Sequence, residues 1–514
     1  MMEGSSPGMR GHRGLIAFDD LNLNVITQGF CTLCGACEAA CPVHAIRIEE
    51  NHLHYDDCSR FLDLCPICYD ICPHTEPLSI EVMRFVADAP IRSSALGSYR
   101  RIVLAQATDP EVRELSHSGG VVTAILAQSM EDGMIDSAII SEAEPHAALK
   151  LRPQISLVPD DVLSAVDSKF SASSVGKAFG NAVRDYGKAK IAFVGVPHQV
   201  LAVRKLEAWQ HKIVRSLEVT LGLFCLWVFS LDGLLRFLER RFGVQHSDIV
   251  RVDLTDQYEV HTSKDLFEIP VEEITPHILN KCKTCPDFTS ELADISVGGA
   301  APLRDWSTVI IRTKKGEEFF RNVSEKGAVK TMEVREQGDV LTHLLSRAMH
   351  KKKIALDEVK RLKQRGLSIP PINHALTFLR DEKSIMKDTR VGDIMTKDVV
   401  TVQSHVSVDE LLDTMTRHHH MGYPVADEES GLVGVVTFED FMKVSKDRRS
   451  KVTVGQIAKK KLVTAYPDDS VLEAFEKMNR HEIGRLIVVD PRDHSKLRGV
   501  LTRTDIMHLL GRGI

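Results

Sequence analysis

At 514 residues the chain is long enough for three or four domains, each with its own core. A hydrophobic content of 43% and a charged content of 26% exclude the disordered and fibrous classes. The net charge of −6 argues against sequence-independent nucleic-acid binding, which requires a strong basic footprint.

Met1 to Gly14 is Gly/Ser-rich with scattered Arg and carries no apolar run, so no signal peptide is expected there. The first chemistry-bearing motif is Cys31-Thr-Leu-Cys34-Gly-Ala-Cys37-Glu-Ala-Ala-Cys41-Pro42. It is the C-x2-C-x2-C-x3-C-P run of a ferredoxin-type iron–sulfur site. A second set follows at Cys58, Cys65, Cys68 and Cys72-Pro73, with its leading cysteine further upstream than the standard spacing. A tight loop with thiols at n, n+3 and n+6 folds three thiolates onto one metal cluster. The ferredoxin resemblance implies two [4Fe–4S] clusters. It assigns Cys31, Cys34 and Cys37 with Cys72 to one, and Cys58, Cys65 and Cys68 with Cys41 to the other. Spacing alone does not force that crossing, and paired four-cysteine zinc sites are the competing chemistry. Ala45-Ile46-Arg47-Ile48, after the first Cys-Pro, reads as a short strand.

From about residue 95, short apolar runs alternate with amphipathic helical patterns. The runs include Ile102-Val103-Leu104-Ala105, Ser137-Ala138-Ile139-Ile140, Ile191-Ala192-Phe193-Val194 and Val309-Ile310-Ile311. This alternation predicts an α/β sheet domain. Val219 to Phe229, the most apolar stretch, is too short to span a bilayer and reads as a buried strand running into a helix. The three remaining cysteines, Cys225, Cys282 and Cys285, lie here. An odd total of 11 fits a reducing cytoplasm better than a disulfide scaffold, and no integral membrane segment is expected.

The block Lys281-Cys282-Lys283-Thr284-Cys285-Pro286-Asp287-Phe288 continues through Ala293-Asp294-Ile295-Ser296-Val297-Gly298. With Ser118-Gly119-Gly120-Val121-Val122-Thr123, Gly195-Val196-Pro197 and Gly222-Leu223-Phe224-Cys225, it resembles the family of beta subunits of coenzyme F420-dependent hydrogenases and dehydrogenases. The resemblance implies FAD, an iron–sulfur cluster and hydride exchange with coenzyme F420 as substrate. It makes Cys225, Cys282 and Cys285 three ligands of a third cluster. Where the family has a fourth cysteine, after the Gly-x-Pro turn, this chain has His198. Imidazole ligates some sulfur clusters and raises their potential. Another fourth ligand, a lost cluster and a three-cysteine, one-histidine zinc site remain the alternatives. Ser118, Gly119, Gly120 and Thr123 open a helical pattern whose backbone N–H groups suit a pyrophosphate, with an ordinary helix cap as the plain alternative. Lys169 would pair with phosphate or flavin, or stand exposed.

His350-Lys351-Lys352-Lys353 and Lys360 to Arg365 are read as the solvated face of a helix and linker rather than a nucleic-acid patch. Beyond residue 389 the chain repeats itself. Val391-Gly392-Asp393-Ile394 recurs as Val454-Gly455-Gln456-Ile457, and Gly434-Val435-Val436-Thr437-Phe438-Glu439-Asp440 as Gly499-Val500-Leu501-Thr502-Arg503-Thr504-Asp505. The repeat resembles a tandem pair of CBS domains. That family implies adenine-nucleotide contacts from Asp440 and Asp505 to ribose, from Thr437 and Thr502 near phosphate, and from Thr401 and Thr464 beside adenine. A purely structural or dimerising pair is the alternative. His418-His419-His420 reads as a polar helix end rather than a metal site.

The expected fold is multidomain α/β and α+β: a ferredoxin-like domain over 15–85, an α/β flavin domain over 95–345, a helical linker over 346–388, and CBS domains over 389–447 and 452–514. Expected partners are ferredoxin or redox partner subunits, an adenine nucleotide, and a second copy through the CBS pair. The expected function is a cytoplasmic iron–sulfur flavoprotein oxidoreductase carrying electrons between a one-electron partner and coenzyme F420 through FAD, with a CBS module regulated by adenine nucleotide. The competing expectation is a regulatory or adaptor subunit of a redox complex, with little catalysis of its own.

Overall fold

The computed structural model describes residues 17–49, 52–58, 65–79, 81–116, 118–144, 147–163, 171–254, 257–334, 337–365, 386–418, 422–481, 483–502, 505–506 and 509. The chain divides into two compact units, Met1–Thr377 and Phe378–Ile514.

Eight strands build the sheet of the first unit: β1 (Arg101–Ala107), β2 (Ser137–Glu144), β3 (Ala147–Ser156), β4 (Ile191–Gly195), β5 (Leu217–Leu223), β6 (Ile295–Ala300), β7 (Leu303–Ile311) and β8 (Val329–Glu333). Their order is β8-β1-β7-β6-β5-β4-β2-β3. The four central strands β6, β5, β4 and β2 run parallel, flanked by antiparallel neighbours. Parallel strands are covered on both faces, so they read as continuous apolar runs; all five residues of β4 are buried. Period-two alternation still sorts the side chains. Ala138, Ile140, Ala192 and Val194 face one core with helix α1 (Val121–Glu131). Ile139, Ile191 and Phe193 face the other, with α2 (Val175–Arg184) and α3 (Pro197–Ala208).

The apolar stretch over 219–229 does not run straight into a helix. Strand β5 stops at Leu223, and Phe224 and Cys225 turn away, their N–H groups held by the carbonyls of Val297 and Phe288. The helix Leu231–Phe242 begins six residues after Cys225 and packs with a three-stranded sheet over residues 249–269.

The cysteine-rich segment lies against α2. Its short helix Ala36–Ala40 approaches so closely that a Cβ on Gly176 would meet the Ala36 nitrogen and the Cys34 oxygen, each at 2.7 Å. The Gly176 N–H instead donates to that Cys34 carbonyl at 2.9 Å, and Arg184 Nη1 donates to the Ala39 carbonyl.

One expectation is overturned here. Helix α4 (Gly338–Gln364) is not a solvated spacer over its lysine tract: Val340, Leu344, Ala348, Ala355, Val359 and Leu362 form a buried stripe. Lys351 and Lys352 point inward with them, at 2% and 0% exposure. The helical periodicity was present, but the run of positive charge masked it.

In the second unit the two halves exchange their opening helices. Val391 and Ile394 belong to the core of the second half, with Val471, Leu486 and Leu501. Val454 and Ile457 belong to that of the first, with Val408, Val425 and Val436. The exchanged segments bridge Thr396 to Val500 and Lys459 to Val435. Gly499 and Gly434 are glycines because a Cβ would meet the Thr396 carbonyl at 2.7 Å and the Lys459 carbonyl at 2.8 Å.

Candidate functional site

Gly35, at φ 84, lets the first cysteine loop turn back sharply before the Ala36–Ala40 helix. Cys31, Cys34, Cys37 and Cys72 thereby line one cavity, walled by Leu21, Val25, Ile48 and Leu53. Cys41, Cys58, Cys65 and Cys68 line a second, walled by Phe18, Ile46, Tyr55 and Ile67. The sets are crossed, Cys72 with the first loop and Cys41 with the later cysteines. The Ala45 N–H donates to Cys41 Sγ at 3.2 Å and the Tyr55 hydroxyl to Cys58 Sγ at 3.4 Å. Burial pushes the Cys34 and Cys68 thiols up to about 12, with neighbouring thiols adding to it, and burial takes Cys72 to about 11. Four crowded, desolvated thiols ionise only with a polycationic guest to balance them, and sulfur-only donors with N–H groups on the sulfurs suit an iron–sulfur cube.

A third cavity collects Cys225, Cys282, Cys285 and His198, together with Thr32, Pro73, His74, Lys281, Asp287 and Lys351. His198 follows Pro197 at the start of α3, and its Nε2 is buried without a hydrogen-bond partner. Burial, reinforced by the Lys351 charge, holds its pKa down to about 3, leaving the neutral imidazole that metals bind. Burial pushes Cys282 up to about 12 and Cys225 to about 11. His74 was not singled out from sequence. It is buried, its Nε2 pairs with the Thr32 hydroxyl at 2.8 Å, and its ring centroid lies 5.9 Å from that of His198. Thr32, Pro73 and His74 also line the first cavity, so the two share a wall.

Beside the third cavity, at the carboxyl ends of the parallel strands, lies a pocket of about 280 Å³. Ser118, Gly120 and Thr123 line it from the start of α1, and Ser141, Ser173 and Ser307 add hydroxyls. Ile140, Val194, Leu223 and Phe224 form its apolar side. Gly119 packs on the sheet edge, where a Cβ would meet the Ala105 carbonyl at 2.6 Å, and Gly120 is left-handed at φ 68 with no side-chain cap. The α1 N–H groups therefore open toward the pocket. Two chain segments join pocket and third cavity: Val196 lines the former and His198 the latter, and Phe224 and Cys225 divide in the same way. Lys169 lies outside the described residues, as do His419 and His420.

In the second unit, the repeated T-x-x-D spacing makes two helix starts. Asp440 accepts from the Thr437 N–H at 3.1 Å and hydroxyl at 2.7 Å, and Asp505 from those of Thr502 at 2.8 and 2.7 Å. Lys443 and Lys459 stand over the other oxygen of Asp440, at 3.3 and 3.5 Å. Thr464 begins a two-residue strand paired with Arg485–Val489, and Thr401 is exposed beside the Val402–Val425 bridge.

Thiol-lined cavities running to a pocket on an α/β sheet, followed by a repeated module, define an iron–sulfur redox protein with a CBS pair. Residues 25–47 match the 4Fe-4S binding domain, and 391–447 and 454–512 match the CBS domain. Residues 102–179 and 188–337 match the N-terminal and C-terminal parts of the coenzyme F420 hydrogenase/dehydrogenase beta subunit. The coenzyme F420 hydrogenase subunit beta of Methanothermobacter thermautotrophicus is 29% identical over 280 residues, 54% of this chain and 99% of the relative. An F(420)H(2) dehydrogenase subunit of Methanosarcina mazei is 30% identical over 318 residues, 59% of this chain and 84% of the relative. A chain of the F420-reducing [NiFe] hydrogenase complex from Methanosarcina barkeri superposes with a TM-score of 0.52 at 28% identity, covering 55% of this chain and 99% of that one. The chain belongs to the family of coenzyme F420 hydrogenase/dehydrogenase beta subunits. Among the described residues no helix is long and apolar enough to cross a membrane.

Proposed function

We propose that this protein is an iron–sulfur flavoprotein oxidoreductase that passes electrons between a one-electron partner, a ferredoxin or partner subunit, and coenzyme F420. The observation that carries the reading is the unbroken series of sites. The cavity of Cys41, Cys58, Cys65 and Cys68 lies in the same small module as that of Cys31, Cys34, Cys37 and Cys72. The latter shares Thr32, Pro73 and His74 with the cavity of Cys225, Cys282, Cys285 and His198, one residue from the pocket. Each cysteine set would hold a [4Fe–4S] cluster, the third with His198 as its fourth ligand.

The pocket suits FAD. The α1 N-terminus and the serine hydroxyls would take its pyrophosphate and ribityl chain, and Leu223, Phe224 and Val297 the ring. Bound FAD supplies the exchange between single electrons and hydride that neither cluster nor deazaflavin performs alone. The chain's own part is to hold the sites adjacent and dry: Phe224, between pocket and third cavity, packs at 5.4 Å on Phe288 and occupies the space that a Gly298 side chain would need. In the CBS unit, Asp440 and Asp505 would keep their capping bonds while offering the remaining carboxylate oxygen to the ribose of an adenine nucleotide, at Asp440 in exchange for its contacts to Lys443 and Lys459.

The adaptor reading draws on one specific observation, His198 at the family's cysteine position. Anaerobically purified protein given reduced F420 and a one-electron dye separates the two. The oxidoreductase reading expects loss of the reduced deazaflavin with two dye molecules reduced per hydride. Absence of exchange from flavin-loaded protein supports the adaptor.

A further inference from the structure

Helix α4 lies beyond the residues that match the beta-subunit models, which end at 337. Yet it delivers a charge to the third cavity. Lys351 is 2% exposed, lines that cavity with Cys225, Cys282, Cys285 and His198, and its Nζ donates to the Cys225 carbonyl. Its neighbour Lys352 is balanced by Glu291 at 2.8 Å. Lys351 makes no ion pair among the described residues. Asp287 also lines the cavity, but among the described residues no ion pair joins it to Lys351, and its Oδ2 accepts from the Glu291 N–H at 3.0 Å. A buried ammonium without a paired anion is strongly disfavoured, so Lys351 requires as its counter-charge the thiolates of Cys225, Cys282 and Cys285, which a bound metal cluster would keep ionised. Thiolate ligands each add a negative charge to an iron–sulfur cube, whereas imidazole adds none.

Lys281 lines the third cavity as well, and a further buried lysine stands near the first. Lys205, fully buried on α3, donates to the Cys72 and Thr75 carbonyls, each at 2.7 Å, beside the first cavity. Among the described residues, no lysine lines the first or the second cavity itself.

We propose that Lys351 is the counter-cation of the cluster held by Cys225, Cys282 and Cys285, a positioning residue that raises the potential of this centre and helps retain it. The charge favours the more negative, reduced cluster, so it raises the midpoint, because net charge and hydrogen bonding around the sulfurs set cluster potentials. By reciprocity, the occupied cluster holds α4 against the domain.

This inference rests on the proposed presence of a third cluster, so iron is counted first in the full wild-type chain, where about twelve per chain are expected. An EPR-monitored redox titration then compares wild type with Lys351→Met and Lys351→Arg. The expected result is a lower third-centre midpoint in Lys351→Met, a near-native one in Lys351→Arg, and unchanged N-terminal centres in both. If Lys351→Met sheds the third signal while Lys351→Arg keeps it, the charge is again required and the proposal stands. A native midpoint in Lys351→Met overturns it, as does equal loss of the third signal in both variants. About eight irons in the wild type would instead remove the third cluster itself, and with it the reading on which this inference depends.

Discussion

Asp294 and Arg204 lie at 4% exposure each, with Arg204 Nη2 3.0 Å from Asp294 Oδ1. The Thr220 N–H and hydroxyl donate to Asp294 at 2.8 Å and the Thr313 hydroxyl at 2.6 Å, tying α3 to β5 and the end of β7. Burial pushes this carboxyl up, but the Arg204 charge and the three hydrogen bonds outweigh it and hold it below the ordinary range. A depressed folded pKa means stability that is full above the unfolded value, about 3.9, and is lost as pH falls through the folded one. Asp294→Asn is therefore expected to lose about 3–5 kcal/mol in urea unfolding at pH 7, and to lose less than wild type on further acidification below about pH 4. An unchanged neutral-pH midpoint would contradict the ion pair's role. At this scale the grouping of the eight N-terminal cysteines was legible from spacing and motif, and that of His198 with Cys225, Cys282 and Cys285 from the family resemblance. His74, Lys205 and Lys351 were not. Nothing local distinguishes a lysine that buries its ammonium from one that faces water, and only the opposing elements decide it.

Among elements, the strand runs of the central sheet were legible from continuous apolarity, and the CBS pair from its repeat. The exchange of opening helices was not, since Val391-Gly392-Asp393-Ile394 fits either half's core equally well as a pattern. The T-x-x-D spacing serves as a helix cap satisfied by residues in hand, and the ribose contact proposed for it is a separate role. Docking of the cysteine module depends on glycine at a helix crossing. Gly176→Val places a side chain against the Cys34 and Ala36 backbone. It is expected to weaken docking by about 1–3 kcal/mol, read as faster hydrogen exchange over residues 31–41 and lower N-terminal cluster occupancy. Gly299→Ala, where an added Cβ meets nothing within 4 Å, is the control expected to leave both unchanged. Equal exchange in the two variants would show that the close approach is not what holds the module.

For the molecule as a whole, the composition excluded classes and the motifs supplied parts, but the order of the parts came from the fold. Residues far apart in sequence, Thr32 and His74 with His198 and Cys225, share one cavity. That adjacency turns three cysteine sets into a series ending at the pocket. If three clusters and one flavin sit in that series, a combined iron, sulfide, zinc and flavin count on the anaerobically purified chain gives about twelve irons, as many sulfides, one FAD and no stoichiometric zinc. About eight irons without flavin, or zinc in place of the third cluster, would contradict it.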